Sequence, residues 1–72
     1  MMKISYDPKH DIMYIKFSEA KIVDTVEVDE GVLIDYGENG EIVGIEIINA
    51  SIRFHGKPLD EITIKIEEST VL

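Results

Sequence analysis

Three residues of the types that do chemistry fall within one short stretch: Asp7, His10 and Asp11. Two carboxylates and an imidazole this close could face one cation. A simpler reading needs no ligand. Asp7 before Pro8 opens a type I turn, because proline presets φ and the aspartate side chain bonds the backbone beyond it. Asp11 then closes the turn. Glu46 is the second candidate, since a strand places it on the face of Ile42, Gly44 and Ile48. A carboxylate among aliphatic groups must be paired, hydrogen-bonded or protonated. A raised pKa would suit it to general-acid work, but pairing with a cation or reaching water at an edge is the ordinary outcome. His10 and His55 could bind a metal or relay a proton, yet no companion motif accompanies them and both read as loop residues. There is no cysteine, hence no disulfide and no thiolate metal site. There is also no phosphate-binding glycine-rich loop, no serine elbow and no His-Glu-x-x-His. No cofactor is expected. A minimal enzyme or metal site using Asp7, Asp11 or Glu46 ranks last among the functional readings.

The elements that must position these residues read as strand and turn almost throughout. Met2, Ile4 and Tyr6 alternate with polar residues as in a half-buried strand. Asp11 to Ser18 returns as a second strand rich in β-branched and aromatic residues. Ile22 to Asp29 and Val32 to Tyr36 form the third and fourth, joined at Asp29-Glu30-Gly31, where Gly31 is free to take positive φ. Asn39-Gly40 predicts a type I′ turn into a fifth strand, Glu41 to Asn49. Ala50 to His55 breaks the alternation and reads as a short helical turn, closed by Gly56 and stopped by Pro58. Ile62, Ile64 and Ile66 alternate with Thr63, Lys65 and Glu67, which favours a final strand. A C-terminal helix is the competitor, and Ser69 to Leu72 is expected to fray. The expected fold is one mainly β domain over residues 1–72, with α+β as the alternative. It is an antiparallel meander of five to six strands with one helical turn after the fifth.

Alternation places Met13, Ile15 and Phe17 on one face of the second strand, with Ile12 and Tyr14 on the other. The fifth strand divides likewise, with Val43, Ile45 and Ile47 opposite Ile42 and Ile48. A free antiparallel sheet normally keeps one wet face, so apolar residues on both sides call for a second covering layer. An identical chain is the favoured cover, because larger exposed apolar patches usually mark an interface and closed homo-oligomers are common. A dimer is expected, with Ile12, Tyr14, Ile42, Gly44, Glu46 and Ile48 at its interface. Gly44 inside a strand also suggests a bulge or a close backbone approach. Lys3 or Lys65 could guard the sheet edges.

Composition narrows the partners. The chain has 72 residues and a formal net charge of −8. A chain this short buries only about 60% of its unfolded surface and is marginal without help. Its seven basic residues are scattered among fifteen acidic ones, so no cationic stripe exists to neutralise phosphates. Nucleic-acid binding and adhesion to anionic membranes are therefore not expected. No apolar run approaches the ~20 residues that span a bilayer, and the N-terminus lacks a signal-peptide apolar region. A cytoplasmic protein is expected. A negative surface keeps a domain in solution and could also attract a basic protein. The Asp24, Glu27, Asp29 and Glu30 cluster would form such a patch.

The run Tyr6 to Phe17, with its Tyr-Asp, short turn, Asp and apolar-Tyr-Ile strand, resembles the opening of the prokaryotic family known as domain of unknown function 2283. Gly31 to Tyr36, then Gly40 to Ser51 with Val-Gly-Ile-Glu-Ile, resembles its second block. The resemblance implies a small, mostly β, cytoplasmic bacterial or archaeal protein and brings no catalytic residues. Members are thought to sit beside small toxin genes, which implies an antitoxin role. Three expectations follow. The first is a non-enzymatic module that self-associates through aliphatic sheet surfaces. The second is an acidic, antitoxin-like partner that neutralises a small basic toxin. The third is the minimal enzyme or metal site named above.

Overall fold

Five strands form where the sequence alternates: β1 (Lys3–Asp7), β2 (Ile12–Lys16), β3 (Asp24–Asp29), β4 (Val32–Tyr36) and β5 (Ile42–Ile48). One short helix, α1 (Ala50–Arg53), follows β5. The computed structural model describes residues 1–55 and 61–68. All strand pairs are antiparallel, in the order β1-β2-β5-β4-β3.

This order departs from a sequential meander. A hairpin, β1–β2, lies beside a three-stranded meander, β3–β4–β5, and the link after β2 crosses to the far edge. Strands stand about 4.8 Å apart, so the link passes three spacings, roughly 14 Å. The residues between Lys16 and Asp24 span that easily at about 3.3 Å each. The order places the three apolar strands, β2, β5 and β4, side by side inside the sheet. It leaves acidic β3 at an edge, every residue exposed.

Turn chemistry sets the registers. Gly31 and Gly40 take positive φ, 76° and 80°. At Asn39-Gly40 the expected type I′ turn is replaced. Gly40 N–H donates to the Gly37 carbonyl, and Asn39 keeps negative φ. The loop is thus a type I turn followed by one left-handed glycine, the arrangement of a three-residue hairpin with a bulge. The reach of Glu41 favours it: its carboxylate accepts from Asn39 N–H at 2.9 Å. Helix α1 begins after Asn49, itself left-handed, and is followed by Phe54 and a left-handed His55. His55 thus already takes the conformation expected of Gly56. Gly56 and Pro58, like the expected fraying at Ser69–Leu72, lie outside the described residues.

The final strand expected at Ile62–Ile66 has no ladder. Residues 61–68 pair with no strand among the described residues, and Ile62, Ile64 and Ile66 are 48%, 66% and 90% exposed. Alternation alone does not hold an extended segment whose backbone lacks a partner.

The registers sort side chains into rows across the sheet. One face carries Ile4, Ile15, Ile45, Ile34 and Val26 in a single line over all five strands. Beside it run Tyr6, Met13, Ile47 and Val32. The opposite face carries Ser5, Tyr14, Glu46, Leu33 and Glu27, and next to them Lys3, Lys16, Gly44, Asp35 and Thr25. Among the described residues only Met13, Val43 and Ala50 are buried apolar groups.

Candidate functional site

The polar face is organised around Tyr14. Its hydroxyl donates to Asp35 Oδ2 at 2.8 Å, and Thr25 Oγ1 donates to Asp35 Oδ1 at 2.6 Å. Three strands are thereby tied together from above. The ring can lie there because β5 has a glycine beneath it. A Cβ at Gly44 would overlap the Tyr14 hydroxyl and stand 3.1 Å from the Ile15 carbonyl. Beside it the β4–β5 register slips between Asp35 and Tyr36, so β5 carries an extra residue, Val43. The glycine in mid-strand thus marks both a bulge and a close approach, and what approaches is the tyrosine of the neighbouring strand.

Two measurable consequences follow. Gly44→Ala must push Tyr14 off Asp35, and overpacking of this kind costs about 1–3 kcal/mol. Much of that loss should vanish in a Tyr14→Ala background, as a double-mutant cycle in urea would read; strictly additive costs would show that the ring does not depend on the glycine. The second consequence concerns pH. Burial, then the hydrogen bond to Asp35, then the charges of Asp35 and Glu46 push the Tyr14 hydroxyl up to about 12. A folded pKa above the unfolded value near 10 favours folding while the group is protonated. That contribution is full below about pH 10 and is lost as pH rises towards 12. Ultraviolet titration should find Tyr14 still neutral where an ordinary tyrosine has ionised.

A second polar node lies at the β1–β2 turn. Asp11 Oδ1 accepts from the Tyr6 hydroxyl at 2.7 Å and from Ser51 N–H at 2.9 Å, while Oδ2 accepts from Ser51 Oγ at 2.7 Å. The Asp11 carbonyl also accepts from Ala50 N–H at 3.0 Å. The Tyr6 hydroxyl, then the Ser51 backbone and hydroxyl, hold the Asp11 carboxyl below the usual range. The same bond holds the Tyr6 hydroxyl above its ordinary value. One aspartate thus fastens the first hairpin to the start of α1.

Asp7 serves a different set of donors. Its Oδ1 accepts from Lys9 N–H and its Oδ2 pairs with His10 Nδ1 at 2.7 Å. The His10 contact, with the turn N–H groups, lowers its pKa. The three residues first singled out therefore split between two structural tasks, and among the described residues no three His, Asp or Glu side chains gather as a metal cage. Arg53 reaches from α1 to Asp29 at 3.2 Å and to the Glu30 carbonyl at 2.6 Å, pinning the β3–β4 turn.

Of the six residues expected at an interface, the structure brings Tyr14, Gly44 and Glu46 together at the centre of the polar face. Ile12 and Ile48 pair at its lower end, half-buried, while Ile42, beyond the bulge, pairs with Tyr36 and is exposed. Glu46 lies between Tyr14 and Leu33. The continuous apolar surface is the other face. Its row from Ile4 to Val26 is half-buried to exposed on every strand. Sequence alternation identifies which residues belong to that face, but only strand order shows that they form one line. Asp35, Thr25 and Ser51 escape sequence reading, since each acts through a partner on another strand or turn.

The family model described as "Protein of unknown function (DUF2283)" matches residues 3–51, which hold all five strands and the start of α1. An uncharacterized protein of Methanocaldococcus jannaschii is 44% identical over 54 residues, 75% of this chain and 46% of that protein. A Methanosarcina mazei protein named "Putative hypoxanthine phosphoribosyltransferase" is 33% identical over 69 residues, 96% of this chain and 55% of that protein. The chain thus spans about half the length of these curated relatives. No solved structure gives a significant match. Among the described residues no helix is long and apolar enough to cross a membrane.

Proposed function

The chain belongs to the DUF2283 family of proteins of unknown function, and on that footing we propose that it is a self-associating interaction module. A second copy covers the aliphatic face in this reading. The observation that carries it is the five-strand row Ile4, Ile15, Ile45, Ile34 and Val26, an aliphatic line across the whole sheet that is half-buried on its first four strands and exposed at Val26. With three buried apolar groups among the described residues, a lone chain has little to set against the entropy of folding.

Thermal unfolding at several protein concentrations tests the proposal. When folding and association are linked, the midpoint rises with concentration. A midpoint constant over a hundredfold range would remove the support.

A second reading rests on β3. This edge strand is exposed throughout, presents Asp24, Glu27 and Asp29, and among the described residues pairs on one side only. An acidic edge suits an extended basic segment of another protein, held by strand addition. That is the chemistry of an antitoxin-like partner for a small basic toxin. Co-purification from the native host that fails equally at low and high salt would count against it. The name of the Methanosarcina relative raises phosphoribosyl transfer. A polyanionic donor calls for a cradle of N–H groups or cations, which a chain of net charge −8 with scattered lysines does not recommend.

A further inference from the structure

Residues 61–68 lie against the outer end of the aliphatic face of their own chain. Ile62, Ile64 and Ile66 alternate with Thr63, Lys65 and Glu67, and Lys65 pairs with Glu67 at 3.9 Å. The three isoleucines line an open apolar trough of about 450 Å³ with Met2 and Ile4. Ile4 stands on the edge strand β1 and heads the five-strand row. The contact is graded. Exposure climbs from 48% at Ile62 through 66% at Ile64 to 90% at Ile66. The segment is thus seated at its start and open at its end, with room in the trough for the other two isoleucines to settle.

We propose that residues 61–68 are an autoinhibitory strap, which closes over Met2 and Ile4 of the same chain and so opposes self-association. The proposal rests on the self-association reading and adds its regulation. Tethering decides who reaches the trough first. A segment joined to its site by a short stretch of chain meets it at an effective concentration of roughly millimolar, while a second copy arrives at its own, lower concentration. The grip is partial, because the strap touches only the head of the row. A copy that covers all five strands displaces it, at a cost to affinity. Apparent affinity falls in proportion to the fraction of chains in the competent state. Both chains of a two-fold dimer must open, so a strap closed about two-thirds of the time raises the dissociation constant by about tenfold.

The absence of cysteine makes the test direct. A full-length chain carrying Met2→Cys and Ile62→Cys, both exposed in the parent, is joined within itself at high dilution by a short bis-maleimide with a cleavable spacer. Sedimentation then gives the dissociation constant of the locked chain and, once the spacer is cut, of the released one. The locked chain should dimerise at least about tenfold more weakly, and cutting the spacer should restore the released value. Ile62→Ser with Ile64→Ser, which loosens the strap without adding charge, should do the opposite and tighten the constant by about tenfold. A locked chain that dimerises as well as the released one overturns the strap and leaves self-association standing. A double-serine chain whose constant is unchanged or weaker overturns it in the same way. Monomers throughout, in the parent, released and double-serine chains alike, remove both.

Discussion

Ile45→Asp is expected to leave the protein monomeric across the micromolar range. Ile45 is the third of five residues in the aliphatic row and lies on a central strand. Anchors near the middle of an interface commonly carry 2 kcal/mol or more. In a two-fold contact the same substitution enters from both chains. The dissociation constant should therefore rise by about a thousandfold, before counting the penalty for placing an unpaired carboxylate where water is excluded. Analytical ultracentrifugation reads this directly. Ile45→Thr, milder in polarity and shape, should give an intermediate constant, which separates weakened association from simple misfolding. Ser5→Asp, on the opposite face and exposed, should leave association near the parent value. If Ile45→Asp dimerises as well as the parent, the aliphatic face is not the contact.

The second large effect is expected at Asp11. Asp11→Ala leaves the Tyr6 hydroxyl, the Ser51 hydroxyl and the Ser51 N–H without their acceptor, and frees the first hairpin from α1. Hydrogen bonds to an ionised acceptor are the stronger kind, and three converge here. Its fall in thermal midpoint should exceed that of Asp7→Ala, whose bonds are exposed and local to one turn. The acid dependence adds a signature. The folded state holds the Asp11 carboxyl below its unfolded value, so the unfolded chain binds the proton more readily. The stabilisation is full above the unfolded pKa of about 3.9 and is lost as pH falls through the lower folded value. Asp7, Glu19 and Asp29 are lowered too and share that limb. Urea midpoints followed from about pH 6 down to pH 2 should fall less steeply in Asp11→Asn than in the parent. Parallel slopes would show that the node contributes nothing through its charge.

Local chemistry made the strands legible, and distance hid their arrangement. Alternation and turn residues located β1 to β5 and the helical turn, since each signal lies within a few neighbours in the chain. The turn at Asn39-Gly40 differs from the type its dipeptide favours because Glu41 bonds back onto it, a contact that dipeptide preference does not include. Strand order was not legible, because pairing β5 with β2 joins residues some thirty apart. The apolar membership of each face could be read, but the line from Ile4 to Val26 exists only once that order is known. Gly44 signalled a close approach, while nothing local named Tyr14 or Asp35 as the reason. Asp11 was visible as a turn residue and a candidate ligand. Its task, accepting from Ser51 forty residues away, was not.

The claim that another copy shelters the aliphatic row is met most directly by the mass of the protein in dilute solution. Sedimentation velocity at low micromolar concentration and moderate salt should return a species of twice the 8.2 kDa chain mass. A well-folded species of 8.2 kDa that persists to high concentration, its isoleucines open to solvent, would contradict it.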